Sequence, residues 1–307
     1  MEFEWMMKEL TAAEKKPVAV AAAEDEYVLE TVCQAYENGI AAPVLFGRRS
    51  EIESISDRCG LDISRFEIID VRDEKRAAQE AVSAVKRGEA DMLMKGLIKT
   101  ADLLREVLDR ENGLRSGTIL SHVGILSSPV LERIFLVTDA AIIPYPGLAV
   151  KAEMIRNAVA AANGMGIRFP KVAPLAAVEV VNPDMAATTD AASLTVMNRR
   201  GQITGCIVDG PLALDLAISP EAAAHKKVDS EVAGKADILL FHNIEAANST
   251  LKAFTHAGNC LFGGVVMGAS APVILTSRSD SAQSKLFSIA CAALISGRLR
   301  KEKDGFQ

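Results

Sequence analysis

Pro17-Val18-Ala19-Val20-Ala21-Ala22-Ala23 (PVAVAAA) decides the fold. The run is apolar at every position rather than at every second one. A strand of that kind is buried on both faces, as strands of a parallel sheet covered by helices are. Asp25–Asn38 then reads as a helix that Gly39 stops. The alternation continues with strand Pro43–Phe46, helix Arg49–Cys59, strand Phe66–Ile69 and helix Asp73–Arg87. Asp91–Met94 is a short strand, and Thr100–Asp109 a helix with Thr100 or Asp102 near its N-cap. Strands and helices in strict alternation with short links predict a doubly wound α/β sheet.

The rhythm changes after that. Thr118–Leu126 and Arg133–Ile143 are consecutive apolar strands without a long helix between them, which marks passage into a second domain. There the helices Leu148–Gly164 and Asp184–Arg200 flank the strand Val172–Val178. Ile203–Val208, Ile238–Phe241 and Leu261–Val266 are further strands, with a helix over Ile244–Ala257. Pro272–Leu275 is the last strand, and Ser281–Ser296 a terminal helix that ends at Gly297, with Arg298, Arg300 and Lys301 beyond it. Basic residues there suit the negative end of the helix dipole.

At 307 residues, 49% of them apolar, the chain is long enough for two cores. A net charge of −6 and a pI near 5.4 exclude the basic footprint of a nucleic-acid binder. The cysteines Cys33, Cys59, Cys206, Cys260 and Cys291 are scattered, form no CxxC pair and have no zinc spacing, which predicts reduced thiols in a cytoplasmic protein. The acidic, lysine-interrupted start, Met1 to Lys16, is not a signal peptide. No apolar stretch approaches the ~18 residues of a membrane span, so no membrane partner is expected. P-loop, GxGxxG, GxSxG and HExxH motifs are absent, and no aspartate cluster is spaced for a divalent metal.

Polar clusters at strand ends carry the functional reading, because open α/β sheets bind ligands there. Lys95-Gly96 with Thr100 follows Asp91–Met94, where a lysine beside a glycine lets ammonium and backbone approach an anion; a tight turn with a solvated lysine is the alternative. Ser121-His122 lies within a strand, and His122 is the best placed of four histidines for a general base, although a packed histidine is the ordinary reading. Asp209-Gly210-Pro211 ends the strand Ile203–Val208, and Asn248 and Lys252 share a helix face at i, i+4. Thr276, Ser277 and Arg278 connect the last strand to the last helix. A helix start favours anions, Arg278 adds a bidentate fork for phosphate, and Ser277 can donate a hydrogen bond. Asp280 with Gln283 three residues later fits a capping box, which weighs against a catalytic role for that aspartate.

Taken in order, these segments resemble the phosphate acetyltransferase/butyryltransferase family along nearly the whole chain. The likeness lies in Ala22-Ala23-Glu24-Asp25-Glu26, in Lys95-Gly96 with Thr100–Arg105, and in Ser121-His122-Val123. It continues in Asp209-Gly210-Pro211-Leu212 with Asp215, in Val232–Asp237, in Asn248 with Lys252, and in Leu275-Thr276-Ser277-Arg278. The resemblance implies reversible acyl transfer between coenzyme A and inorganic phosphate, with no metal and no tightly bound cofactor. It implies two α/β domains around a cleft, similar to isocitrate and isopropylmalate dehydrogenases, in a homodimer or higher homo-oligomer. The chain's end returns to the first domain in that arrangement, which gives residues 1–130 with 268–307 and residues 131–267 as the domains. Ser277 would hydrogen-bond the reacting centre and Arg278 hold phosphate. Lys95, Gly96, Thr100, Ser121, Asp209, Asn248, Lys252 and Thr276 would bind substrate. The acetyl branch carries an acidic residue where this chain has Ser284, and a second arginine where it has Thr255. Both differences point to the butyryl branch and leave His122 and Asp280 as the candidate bases.

Overall fold

The computed structural model of the protein describes residues 2–116, 119–276 and 280–304. The chain forms two compact units, Met1–Thr118 with Phe262–Gln307, and Ile119–Leu261. The first unit runs α1 (Glu2–Thr11), β1 (Lys16–Ala21), α2 (Glu26–Glu37), β2 (Ala41–Gly47), α3 (Arg49–Cys59), β3 (Glu67–Asp70), α4 (Glu74–Lys86), β4 (Met92–Lys95) and α5 (Thr100–Val107). The helix α1 is an addition to the sequence reading: Met6 and Leu10, one turn apart, are both buried. Asp25 caps α2 by accepting the Val28 N–H at 3.0 Å, and Asp73 caps α4 from Arg76 N–H at 2.8 Å. The start of α5 falls where expected: Lys99 occupies its N-cap without a side-chain bond, and Thr100 and Asp102 both lie in the turn next to it, Asp102 engaged by Arg105 at 2.6 Å.

The second unit runs β5 (Ser121–Ser128), β6 (Arg133–Thr138), α6 (Leu148–Gly164), β7 (Lys171–Pro174), α7 (Ala186–Arg199), β8 (Ile207–Val208), α8 (Leu214–Ile218), α9 (Pro220–Lys226), β9 (Ile238–Leu240) and α10 (Ile244–His256). Its strand order is β5-β6-β9-β7-β8, with β5 and β6 antiparallel and the other neighbours parallel. β6 is shorter than the apolar run that encodes it. Asp139 accepts the N–H groups of Ala141 and Ile142 at 2.8 and 2.9 Å, which turns the chain out of the strand. β8 is cut to two residues in a similar way, because Gly205 takes φ +76° just before it.

β10 (Leu261–Met267), β11 (Val273–Ile274) and α11 (Ala282–Asp304) complete the first unit, whose strand order is β3-β2-β1-β4-β11-β10. All its neighbours are parallel except β10 and β11. α11 corrects two expectations. Ser281, not Asp280, caps it: its hydroxyl accepts the Ser284 N–H at 3.1 Å. Gly297 does not stop it either, since a mid-helix glycine costs only about 1 kcal/mol. The buried face of Phe287, Ile289, Ala290, Ala293 and Ile295 outweighs that, and Arg300 is tied to Asp91 at 2.7 Å past the glycine.

Candidate active site

In the first unit, the register of β4 and β11 assembles part of the expected site. Val273 pairs with Leu93 and Ile274 with Met94 in parallel, so the residues that follow both strands leave the sheet at one edge. A cavity of about 380 Å³ lies there, lined by Lys95, Gly96, Thr100 and Thr276 together with Lys99 and Lys285. Four residues from two segments singled out in the sequence thus become two walls of one space. Lys95 is held in place: its ammonium donates to the carbonyls of Gly96 and Ile98 at 3.1 and 3.0 Å. Gly96 is required by space, because a Cβ there would stand 2.0 Å from the Ala22 carbonyl oxygen. Ser277 and Arg278, next after Thr276 in the sequence, lie outside the described residues. Asp280 is half-buried just before α11.

Lys285 was not singled out, and its burial is the surprise of this cavity. It is only 6% exposed, with its ammonium 4.7 Å from the centre of the Tyr27 ring. A signal did exist: Ser288, Ile289 and Ala292, at helical spacing from Lys285, are all buried.

The remaining candidates belong to the second unit. Ser121 and His122 are the first two residues of β5, and both are buried. Asn157 donates to the Ser121 hydroxyl and to the Ile119 carbonyl, both at 2.9 Å. The His122 backbone is clamped on both sides: its N–H donates to Asp139 at 2.8 Å and its carbonyl accepts from Thr138 at 3.0 Å. Asn248 joins the same network by donating to the Ala140 carbonyl at 2.9 Å. Asp139, which sequence reading passed over, therefore links Ser121-His122 to the Asn248 helix. Lys252, one turn on, is exposed. Asp209 is apart from these residues, in a cavity of about 630 Å³, with Arg199 3.9 Å away.

Comparison with known proteins gives these clusters a common context. The family described as Phosphate acetyl/butaryl transferase matches residues 2–83 and 74–293. The chain belongs to that family. It is 50% identical, over 96% of its length and 98% of the relative's, to the phosphate butyryltransferase of Clostridium acetobutylicum. Among solved structures, a branched-chain phosphotransacylase from Enterococcus faecalis V583 matches with a TM-score of 0.82 and 35% identity, over 92% of this chain and 99% of that one. A 4-hydroxythreonine-4-phosphate dehydrogenase from Burkholderia phymatum matches with a TM-score of 0.58 at 12% identity, over 92% of this chain and 99% of that one. That last likeness concerns fold alone, and it bears out the dehydrogenase-like α/β class expected from the sequence.

In an acyl-transferring family the thiols need scrutiny, since a thiolate could take up an acyl group. All five are pushed the other way. Burial raises Cys33 and Cys206 to about 11, and Cys291, Cys59 and Cys260 are raised as well, each chiefly by desolvation. They are thiols at neutral pH, unsuited to carrying an acyl intermediate.

The phosphate acyltransferase fold also holds a charged cluster in its second unit. The ammonium of Lys151, on α6, is buried and contacts Asp190 Oδ2 at 2.5 Å and His242 Nδ1 at 2.8 Å. A lysine only donates, so Nδ1 accepts and the ring proton resides on Nε2. Burial and the Lys151 charge lower the His242 pKa, against the opposing pull of Asp190. The unfolded chain therefore takes up this proton near pH 6.5 while the folded one does so only at lower pH. Stability should decline as pH falls through 6.5 and level off below the folded value. Urea unfolding at pH 7.5, 6.5 and 5.5 measures this, and His242→Gln should flatten that part of the slope. Equal slopes in both proteins would remove His242 from the account.

Proposed function

We propose that the chain transfers a short acyl group, butyryl by preference, reversibly between coenzyme A and inorganic phosphate. Both substrates meet in a ternary complex, and hydrogen phosphate attacks the thioester carbonyl directly. The new carbon–oxygen bond forms as the carbon–sulfur bond breaks, and the proton lost by hydrogen phosphate ends on the thiol of coenzyme A. Family membership across nearly the full chain supports the reaction. The observation that carries it is the convergence of Lys95, Gly96, Thr100 and Thr276 on one cavity, directly before Ser277-Arg278 in the chain. Fixed positive charge and orientation supply the acceleration in such a site.

In this reading Arg278 holds phosphate, Ser277 donates to the carbonyl oxygen, and Ser121, Asp209, Asn248 and Lys252 contact substrate. Asp280 and His122 are the residues proposed to handle the proton. The two compact units are proposed as the two domains, in a cytoplasmic homodimer or higher homo-oligomer. Among the described residues, no helix is long and apolar enough to cross a membrane.

Purified protein with butyryl-CoA and phosphate should release free coenzyme A thiol with no metal added, followed with a thiol-reactive chromophore. A series from acetyl-CoA to valeryl-CoA, with isobutyryl-CoA included, tests the acyl preference. Each methylene is worth about 1–3 kcal/mol of discrimination, so butyryl-CoA should exceed acetyl-CoA at least tenfold in kcat/KM. No thiol release with any of them would end this reading; a maximum at acetyl-CoA would move the chain to the other branch.

A further inference from the structure

The cavity of the first unit holds a cation with no described counter-ion. Lys285 is nine-tenths buried, yet among the described residues its ammonium makes neither a salt bridge nor a hydrogen bond, and it lines the cavity over the Tyr27 ring. A buried ammonium without a counter-ion is unfavourable, and an anion relieves that cost. α5 starts on the same cavity. Its N-cap residue, Lys99, offers no side-chain acceptor, and the N–H groups of Thr100 and Ala101 have no acceptor among the described residues. These N–H groups and the positive end of the helix dipole favour negative charge.

Among the described residues, the other charged groups on the cavity are Lys95, Lys99, Asp25 and Glu74. Asp25 is occupied in capping α2, and Lys95 in its two carbonyl bonds. Three ammonium groups therefore face two carboxylates, one of them engaged.

We infer that Lys285 and the uncapped start of α5 bind a tetrahedral phosphate oxyanion in this cavity. The site rests on the proposed function for its supply of ligand. Two sources share the chemistry, inorganic phosphate and the phosphate groups of coenzyme A. At about 380 Å³ the cavity is in the range that holds drug-sized ligands, so it admits either.

Calorimetry at fixed ionic strength and without turnover tests the site, using inorganic phosphate, coenzyme A and phosphate-free pantetheine as probes. Lys285→Met keeps the apolar stem and removes the charge. It should weaken binding of phosphate, of coenzyme A or of both by roughly tenfold to a hundredfold, as loss of a charged hydrogen bond does, and leave pantetheine unchanged. A loss with inorganic phosphate alone assigns the site to that substrate; a loss with coenzyme A alone assigns it to the cofactor's phosphates. Thr100→Pro is a second variant, which removes one N–H at a helix position that tolerates proline. It should weaken the same anion several-fold relative to Thr100→Ala, and it stands in if Lys285→Met does not fold. Unchanged anion affinity in the variants, an equal loss with pantetheine, or no anion binding by the wild-type protein overturns the inference. Because binding is read directly, a protein that binds phosphate here but transfers no acyl group would refute the proposed function and leave this site standing.

Discussion

Replacing Arg278 by alanine is expected to lower kcat/KM for phosphate about a hundredfold and to raise the phosphate concentration that half-saturates the reaction. A hundredfold corresponds to about 2.7 kcal/mol, within the range for a charged hydrogen-bond donor aimed at an oxyanion. The expectation comes from position and chemistry together. Thr276, immediately before the Ser277-Arg278 pair, lines the cavity of the first unit, and Ser281, shortly after it, caps α11. A guanidinium in that segment offers phosphate two parallel N–H donors. Arg278→Lys should recover only part of the loss, since an ammonium restores the charge but not the fork. The acyl-CoA KM should stay within a few-fold in both variants, which separates an anion role from a collapsed site. Initial rates over a phosphate series at saturating butyryl-CoA measure all of this. A wild-type phosphate curve from Arg278→Ala would remove the arginine from the anion site.

Why Arg278 stood out in the sequence while Lys285 did not is a matter of what a sequence shows. The alternation around PVAVAAA was legible because β1 holds a continuous apolar run, and Asp25 and Asp73 cap α2 and α4 where such residues do. Thr276-Ser277-Arg278 was legible as a polar break after a buried strand. Strand pairing was not legible: β4 and β11 are neighbours although the whole second unit intervenes in the chain, and that register brings Lys95 and Thr276 onto one cavity. Lys285 and Lys151 were missed for a related reason. Each is a lysine in a helix, ordinarily a solvated side chain, and each is buried by tertiary packing, against Tyr27 in one case and Asp190 with His242 in the other. Strand ends moved where a side chain competed for the backbone, as Asp139 does after β6.

Gly96→Ala should be the most damaging single methyl in the first unit. The added Cβ would lie 2.0 Å from Ala22 O, 2.6 Å from Ala21 O and 2.7 Å from Ala22 C, all of them backbone atoms that have no rotamer to turn aside. Two hydrogen bonds hold this close approach together: Gly96 N–H to Ala21 O at 2.9 Å and Leu97 N–H to Ala22 O at 2.6 Å. Ala22 is already in the left-handed region at φ +56°, a strained state for a residue with a Cβ, so it has little freedom to retreat. The clash must be relieved by parting β1 from β4 beyond the Ala21–Lys95 pair, which moves the Gly96 carbonyl that Lys95 grips. Overpacking a well-fitted core costs about 1–3 kcal/mol, and a backbone-on-backbone clash belongs at the top of that range. About 3 kcal/mol corresponds to a fall in Tm of roughly 6–12 °C for a unit of this size, with acyl transfer reduced in the material that still folds. Gly297→Ala is the control. Its Cβ would meet nothing closer than Lys16 Cε at 3.6 Å, and alanine is the better helix former, so the melting temperature should hold or rise. If Gly96→Ala melted with the wild-type protein and kept its activity, the close packing of Lys95-Gly96 on Ala22 would not be what shapes this wall of the site.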